Sequence, residues 1–450
     1  MNQEFLLGYA RTNISPKEPC PLSGFGSGKN RISNRIMDEL YFSCLALTDA
    51  EGNTALVCSI DHQRPQEEVI RELRDAMTEA TGIPGDRILI SATHTHSTPD
   101  LYMTFFPAIV NYRKLLQEQS AKAAVAALAD RKPATFAVGS METKRLNFVK
   151  HYRLENGSVV GDNFGNPKES PYKGHVSDAY SIMHSIRVKR EGCKDLVITN
   201  FRSHPTMTGG TNKLEVSSDY VGPFRDSMEK QMDCDFVYFQ GACGNINPKS
   251  RLQDENLTRD YMAYGALLAE ANIKILQKNM REVPAGKLQM RQINYDCPID
   301  HSRDHLKDKA QEVVDYWHST APDYDKPGTK QRAVAYGFSS IYDAMGVIGK
   351  TKLAPSENCE LDVVTIGDQM AFVSAPGELW DSVSVEMERR SPFPMSMTLG
   401  YANGDRKYFP HGLGCTYRSY ESDYARLVLG TADKVIDIWT EALVEMYKNS

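Results

Sequence analysis

Histidines, a glutamate and amide side chains recur in this 450-residue sequence just after short apolar runs. Thr93-His94-Thr95-His96-Ser97 follows RILISA, and Arg202-Ser203-His204-Pro205-Thr206 follows DLVITNF. Gly241-Ala242-Cys243-Gly244-Asn245 follows DFVYFQ, and Ala375-Pro376-Gly377-Glu378 follows QMAFVS. Side chains alternate along an extended segment, so His94 and His96 are expected to point to one side. A catalytic zinc takes about three protein ligands from His, Asp or Glu and keeps one position open for water. His94, His204 and Glu378 meet that count. Taken singly, the HxH pair also fits two hydrogen-bonded histidines at a strand end, and His204 and Glu378 equally fit structural roles. Asp219 either supports a ligand histidine or closes the turn it forms with Ser218.

The elements that must position these residues can be read from hydrophobic pattern. Thr54–Ile60, Arg87–Ala92, Asp195–Phe201, Asp235–Gln240, Gln369–Ser374 and Met395–Gly400 are short and rich in β-branched or aromatic residues, as buried strands are. Glu67–Thr81, Lys114–Asp130, Arg259–Lys278 and Asp423–Tyr447 carry helical spacing. This interleaving predicts an α/β fold of mixed β-sheets flanked by helices. The metal site is expected at the carboxyl ends of the strands, where open α/β sheets collect ligands. The more charged stretch His301–Lys352 is expected to be a helical excursion from a single domain spanning 1–450.

Composition removes other classes. Lys and Arg number 52 against 58 Asp and Glu, a net charge of −6, which disfavours nucleic acid as a partner. No apolar run approaches the ~18 residues of a spanning helix, so no membrane anchor is expected. The start, MNQEFLLGYARTNISP, lacks a basic segment followed by a long apolar one, and the nine cysteines include no CxxC pair. Both features predict reduced thiols and a cytoplasmic protein. The stretch Gly24–Asn30 has neither the spacing of a phosphate loop nor that of a dinucleotide turn. No HExxH helix and no GxSxG elbow occurs.

Taken in order, further motifs resemble the neutral/alkaline non-lysosomal ceramidases and their bacterial relatives. They run from Gly8-Tyr9-Ala10 with Ile14-Ser15-Pro16, through Leu22–Gly26, Asp38–Tyr41, Ala92–Ser97 and His204-Pro205, to Ser218-Asp219-Tyr220. Gln240-Gly241-Ala242 with Gly244–Pro248, Pro376-Gly377-Glu378, Tyr408 and Tyr420-Glu421 complete the series. Each motif is short; their collinearity carries the resemblance. It implies a zinc ion held by His94, His204, Glu378 and Tyr408, with His96 as the acid/base group and Tyr420 near the substrate. It also implies a cation for the developing oxyanion in the region of Lys144–Asn147, Lys150 and His151, with Arg145 as the expected residue.

Two departures bear on the substrate. Ceramidases of this kind carry Gly-Asp-x-Ser-Pro where this sequence has Gly244-Asn245-Ile246-Asn247-Pro248. The chain is also short for such an enzyme with its C-terminal immunoglobulin-like domain. Ceramide is therefore not the expected substrate. A zinc-activated water needs no protein nucleophile, so the missing serine is compatible with hydrolysis. Asn247, beside Gly244 in the expected substrate pocket, either orients substrate or shapes that pocket, or caps the turn before Pro248. The expected activity is cleavage of an amide in a small soluble N-acyl compound. The alternatives are a zinc esterase, lactonase or carbohydrate deacylase, and a non-catalytic protein whose metal organises a ligand pocket.

Overall fold

Three pairs of parallel strands end in register, and their tails carry the candidate residues. Thr54–Ile60 runs beside Ile88–Ala92 with Ile60 opposite Ala92. Leu196–Phe201 runs beside Asp235–Gln240 with Phe201 opposite Gln240, and Met370–Ser374 beside Met395–Leu399 with Ser374 opposite Leu399. These strands belong to a computed structural model that describes residues 4–25, 31–161, 170–209, 213–249, 252, 260–319 and 327–450. Residues 26–30 of the Gly24–Asn30 stretch, and Arg259 at the expected start of a helix, lie outside the described residues.

The first two pairs sit at opposite edges of a nine-stranded sheet. That sheet is continuous through only a two-residue pairing at its middle, Leu6 with Pro133 and Leu7 with Lys132. Its edges come back together: Ser59 Oγ donates to the Tyr238 carbonyl at 2.6 Å. The third pair belongs to a four-stranded sheet with Leu288–Pro298 and Ser356–Ile366. Leu7, Val57, Phe136, Ile198 and Phe239 on the large sheet share one core with Val364, Phe372 and Met397 on the smaller. Burying each such side chain contributes about 1.5–3 kcal/mol, so the sheets are locked against each other. Asn200 Nδ2, which donates to the carbonyls of Phe239 and Thr398, ties two of the parallel pairs together directly.

Helices cover the outer faces, so the fold is α/β with mixed sheets flanked by helices, as expected. Glu67–Thr81 buries Val69, Ile70, Leu73 and Met77 along one stripe, opens on two glutamates that suit the positive helix end, and stops at left-handed Gly82. With Pro107–Ala129 it seals one half of the large sheet, while Val221–Met232 and Tyr261–Lys278 seal the other. Asp381–Arg390 and Thr431–Lys448 cover the four-stranded sheet.

The sequence pattern over Asp423–Tyr447 is not one helix. A short helix, Tyr420–Tyr424, ends where Ala425 turns extended. Thr431–Lys448 begins only after Gly430 at φ 91°, a conformation that only glycine adopts readily. The helical excursion is present as Lys307–Ser319, Pro327–Ala335 and Ile341–Lys350. It is inserted between two strands that pair along their full length, from Leu288 with Ile366 to Pro298 with Ser356. Among the described residues no helix is long and apolar enough to cross a membrane. All nine cysteines are free, seven of them buried.

Candidate metal centre

The Nε2 atoms of His94, His96 and His204 form a triangle with sides of 3.2, 3.1 and 3.1 Å. Among the described residues their ligand atoms all lie within 4.8 Å of one another. Nitrogens about 2.0–2.1 Å from a tetrahedral zinc lie roughly 3.3 Å apart, close to these edges. The other sides of the rings face backbone. His94 Nδ1 lies 2.8 Å from the Gln63 carbonyl and His204 Nδ1 lies 3.3 Å from that of Cys243, while His96 hydrogen-bonds the backbone of Gly24. A ring that donates through Nδ1 presents its Nε2 lone pair. Converging lone pairs repel unless a cation lies between them.

Protonation does not relieve this convergence. Burial, reinforced by the charges of Arg64 and Lys150, pushes the His94 imidazole down to about 3. Burial and neighbouring positive groups likewise hold His96 and His204 well below the ordinary histidine range. Three neutral imidazoles near pH 7 are the form that binds metal.

The strand before His94 does not continue as an extended segment. His94 sits at φ 66°, a costly conformation for a residue with a Cβ, so simple alternation is not what brings His94 and His96 together. The kink is held by His94 N donating to the His62 carbonyl at 2.8 Å and His96 N donating to that of Pro205 at 3.2 Å. Gly24, at φ 111°, packs so closely that a Cβ there would stand 2.4 Å from the His96 carbonyl oxygen. No other residue leaves His96 in place.

Glu378 lies beside this cluster. It is 5 % exposed, and its carboxylate approaches His94 Nε2 at 3.6 Å. Oε1 accepts the Tyr401 hydroxyl at 2.6 Å, whereas Oε2 is buried and, among the described residues, has no hydrogen-bond partner, the nearest ion-pair atom being His204 Nδ1 at 3.7 Å. An orphaned carboxylate oxygen costs several kcal/mol in a dry site unless it meets a cation, ~1–3 kcal/mol even for a neutral polar atom. Burial accordingly pushes the Glu378 carboxyl up to about 7 against the pull of Lys150, Tyr401 and Tyr408. A divalent cation would restore the ionised form. The residues present fit a metal: three imidazoles converge on one point with a buried carboxylate beside them.

Two short parallel strands deliver the last pieces, with Glu378 opposite Tyr408 and Leu379 opposite Phe409. Tyr408 is buried, and its hydroxyl lowers the pKa of the Glu378 carboxyl. Tyr420 lies edge-on to the Tyr408 ring with centroids 5.9 Å apart. On its other side Tyr420 meets Tyr342 of the helical excursion at 4.7 Å.

Arg145 is placed differently from the expectation. It is exposed on a turn at φ 70°, and the turn directs the chain so that Lys150 becomes the buried cation of this region. Lys150 Nζ pairs with Glu421 at 2.8 Å, both side chains being 5 % exposed or less. It lies 5.8 Å from the centre of the Tyr408 ring. Glu421 also takes His151 Nε2 at 2.6 Å, and His151 Nδ1 meets the Tyr417 hydroxyl at 2.8 Å.

Asn247 lies on a two-residue strand opposite Phe148, beside Ile246, whose carbonyl accepts His204 N. Gly244 packs under the glutamate, where a Cβ would stand 2.8 Å from the Glu378 carbonyl oxygen. Asp219 closes a turn and accepts Thr208 N and Oγ1 at 2.8 and 2.9 Å, fixing the loop that follows His204. Sequence reasoning assigned no role to Tyr401 and Gln63. Tyr401 stacks on the His94 ring at 4.2 Å, and Gln63 Nε2 lies 3.4 Å from His96 Nε2. Tyr401 stands immediately after an apolar strand, the same signal that marks His94 and Glu378.

No family model and no curated protein matches the sequence. The fold, by contrast, matches solved structures along the whole chain. Neutral ceramidase from Pseudomonas aeruginosa is similar with a TM-score of 0.73 and 15% identity, over 100% of this chain and 75% of that one. A ceramidase complexed with C2 is similar at 0.71 and 15% identity, over 99% of this chain and 76% of that one. The class defined is a ceramidase-like α/β fold with a cluster of three histidines able to hold a metal at the strand ends. The fold expected from the resemblance is the fold observed.

Proposed function

We propose that this protein is a zinc-dependent hydrolase that cleaves the amide bond of a small N-acyl compound. The observation carrying the proposal is the convergence of three imidazole Nε2 atoms beside an orphaned Glu378 oxygen. His94, His204 and Glu378 would hold the ion, with Tyr408 beside them, a nitrogen and oxygen donor set that suits zinc. When bound there, zinc supplies a Lewis acid and a water of lowered pKa at neutral pH.

The chain's own residues perform the rest. His96, neutral and touching the same point, takes a proton at Nε2 and returns it to the leaving nitrogen. Lys150, held by Glu421, provides the positive charge that the developing oxyanion needs, the role expected of Arg145. Tyr420 and Tyr408 form an aromatic wall for the substrate, and Asn247 stands at the position where ceramidases of this kind carry a serine. Burial of the whole cluster excludes bulk water and strengthens each of these interactions.

The test is turnover of matched N-acyl, ester and lactone panels by zinc-loaded and chelated protein. Amide hydrolysis lost on chelation and restored by zinc is expected. Chelator-insensitive turnover, or a His94→Ala variant with full zinc content and full activity, would sink the proposal. Turnover of esters or lactones alone would move the reading to that bond.

A further inference from the structure

Beside the histidine cluster lies a second charged group that the chemistry above does not use. Asp405, whose side chain is wholly buried, receives Arg64 Nη1 and Lys407 Nζ, both at 3.1 Å on the same Oδ2 oxygen. The Tyr102 hydroxyl donates to that oxygen too, at 2.5 Å. The Arg64 guanidinium and the Lys407 ammonium lie 5.0 and 5.9 Å from the centre of the Tyr102 ring. Two cations thus share one carboxylate. Nearby Glu67 is taken by Arg406, and Asp100 caps the turn at Tyr102 N. Lys150 pairs with Glu421, which also meets His151 Nε2.

Donors are in excess around Asp405, although the Asp100 carboxylate also acts on Arg64. A guanidinium offers five N–H groups and an ammonium three. Arg64 gives Nη1 to Asp405, and its Nε is buried without a partner among the described residues. Both cations adjoin the cluster through the backbone. Arg64 follows Gln63, whose carbonyl faces His94 Nδ1, and Lys407 precedes Tyr408 and accepts Glu378 N on its carbonyl at 2.7 Å. Both side chains keep solvent contact, at 28% and 15% of their full exposure, so an incoming molecule can reach them.

We infer that the substrate carries an anionic oxygen group, a carboxylate or a phosphate, that docks on Arg64 and Lys407 while its acyl bond lies at the histidine cluster. This rests on the hydrolase reading and narrows it to N-acyl compounds with a charged head, such as N-acyl amino acids. With Nη1 on Asp405 and Nε buried, Arg64 offers an incoming oxygen the remaining outer edge of its guanidinium, and Lys407 adds a point charge. The phenol of Tyr102 holds both cations in place through Asp405.

The experiment compares zinc-loaded protein acting on N-hexanoylglycine, N-hexanoyl-phosphoethanolamine and the neutral N-hexanoylglycinamide. At least one anion is expected to exceed the amide in kcat/KM by about tenfold or more, as charge-assisted bonds give, with the stronger of the two identifying the group. Arg64→Gln and Lys407→Gln should each collapse that ratio through KM, and Arg64→Lys should restore part of it. Equal turnover of charged and neutral compounds by the parent protein overturns the inference and leaves the hydrolase reading intact. If none is cleaved, the hydrolase reading falls, and calorimetric binding of N-hexanoylglycine decides the inference. Saturable binding lost in Arg64→Gln supports it, and absence of binding refutes it.

Discussion

The hydroxyl of Tyr401 donates to Oε1 of Glu378 at 2.6 Å, in the interior of the protein. Its ring at the same time stacks on His94 with centroids 4.2 Å apart. One side chain therefore orients the carboxylate and one imidazole, each on a different strand tail.

Tyr401→Phe keeps the stack and removes the hydrogen bond. Outer hydrogen bonds to metal ligands typically govern about 10–100-fold in affinity. Zinc affinity should fall within that range while the thermal melting of the metal-free protein changes little. Competition against a chromophoric chelator measures the first and circular dichroism the second. Unchanged affinity would remove Tyr401 from the metal centre.

Metal stoichiometry separates the roles of Glu378 and His96. If Glu378 is a ligand, Glu378→Ala should retain well under one zinc per chain after gel filtration, whereas His96→Ala should retain a full equivalent and lose turnover. The reverse pattern would make the third imidazole the ligand and leave proton transfer to Glu378. Elemental analysis of the two variants reads the answer directly.

The Lys150–Glu421 pair gives a stability prediction. Burial alone would raise the Glu421 carboxyl, but Lys150 and His151 hold it well below the usual carboxylate range. Removing one partner of such a pair leaves a buried charge uncompensated, at about 3–5 kcal/mol. Glu421→Gln should be destabilised by that order in urea unfolding at neutral pH. The double variant Lys150→Met, Glu421→Gln should recover much of the loss, since no lone charge then remains. A double variant less stable than the single one would contradict the pairing.

A pH effect is expected from Asp362 on the strand Ser356–Ile366. Burial, with repulsion from Glu360, pushes its carboxyl up to about 8 against the pull of Arg74 and the hydrogen bond from Asn403. The unfolded value lies near 3.9. Between those values the folded chain holds a proton that the unfolded chain releases. This contribution to stability is therefore complete below pH ~4 and lost as pH rises toward 8, at no more than about 1.4 kcal/mol per pH unit. Asp362→Asn keeps an acceptor for Asn403 and should flatten the decline between about pH 5 and about pH 8. A variant with the parent's slope would show that Asp362 does not titrate there.

Gly244 offers a backbone test. A methyl group added there would stand 2.8 Å from the carbonyl oxygen of Glu378 and 3.0 Å from that of Leu379, backbone atoms that have little room to yield. Gly244→Ala should displace the glutamate strand and weaken zinc binding while the rest of the fold stays intact. A crystal structure of the variant with Glu378 unmoved would refute this account.

What the sequence reveals and what it hides follow physical lines. Thr54–Ile60, Asp235–Gln240 and Glu67–Thr81 can be bounded to the residue from hydrophobic pattern, because burial on known faces dictates their composition. The strand tails that carry His94, His204 and Glu378 are legible for the same reason. The pairing of Glu378–Leu379 with Tyr408–Phe409 is not, since two residues have no period. The left-handed His94 is equally hidden, as local preference argues against it and only the surrounding contacts impose it. Arg145 and Lys150 are alike in charge and close in sequence; which of them is buried depends on the turn between them, a tertiary outcome.

The parallel bridge between Glu378 and Tyr408 also bears on biogenesis. The residues proposed to hold the ion are scattered from position 94 to position 408, and no two neighbours in space come from one local hairpin. A chain emerging from the ribosome cannot assemble this cluster until its last quarter has been synthesised and docked. Metal capture would then be a late event that reports on completed folding, and a nascent or truncated chain would have little means of sequestering zinc on its own.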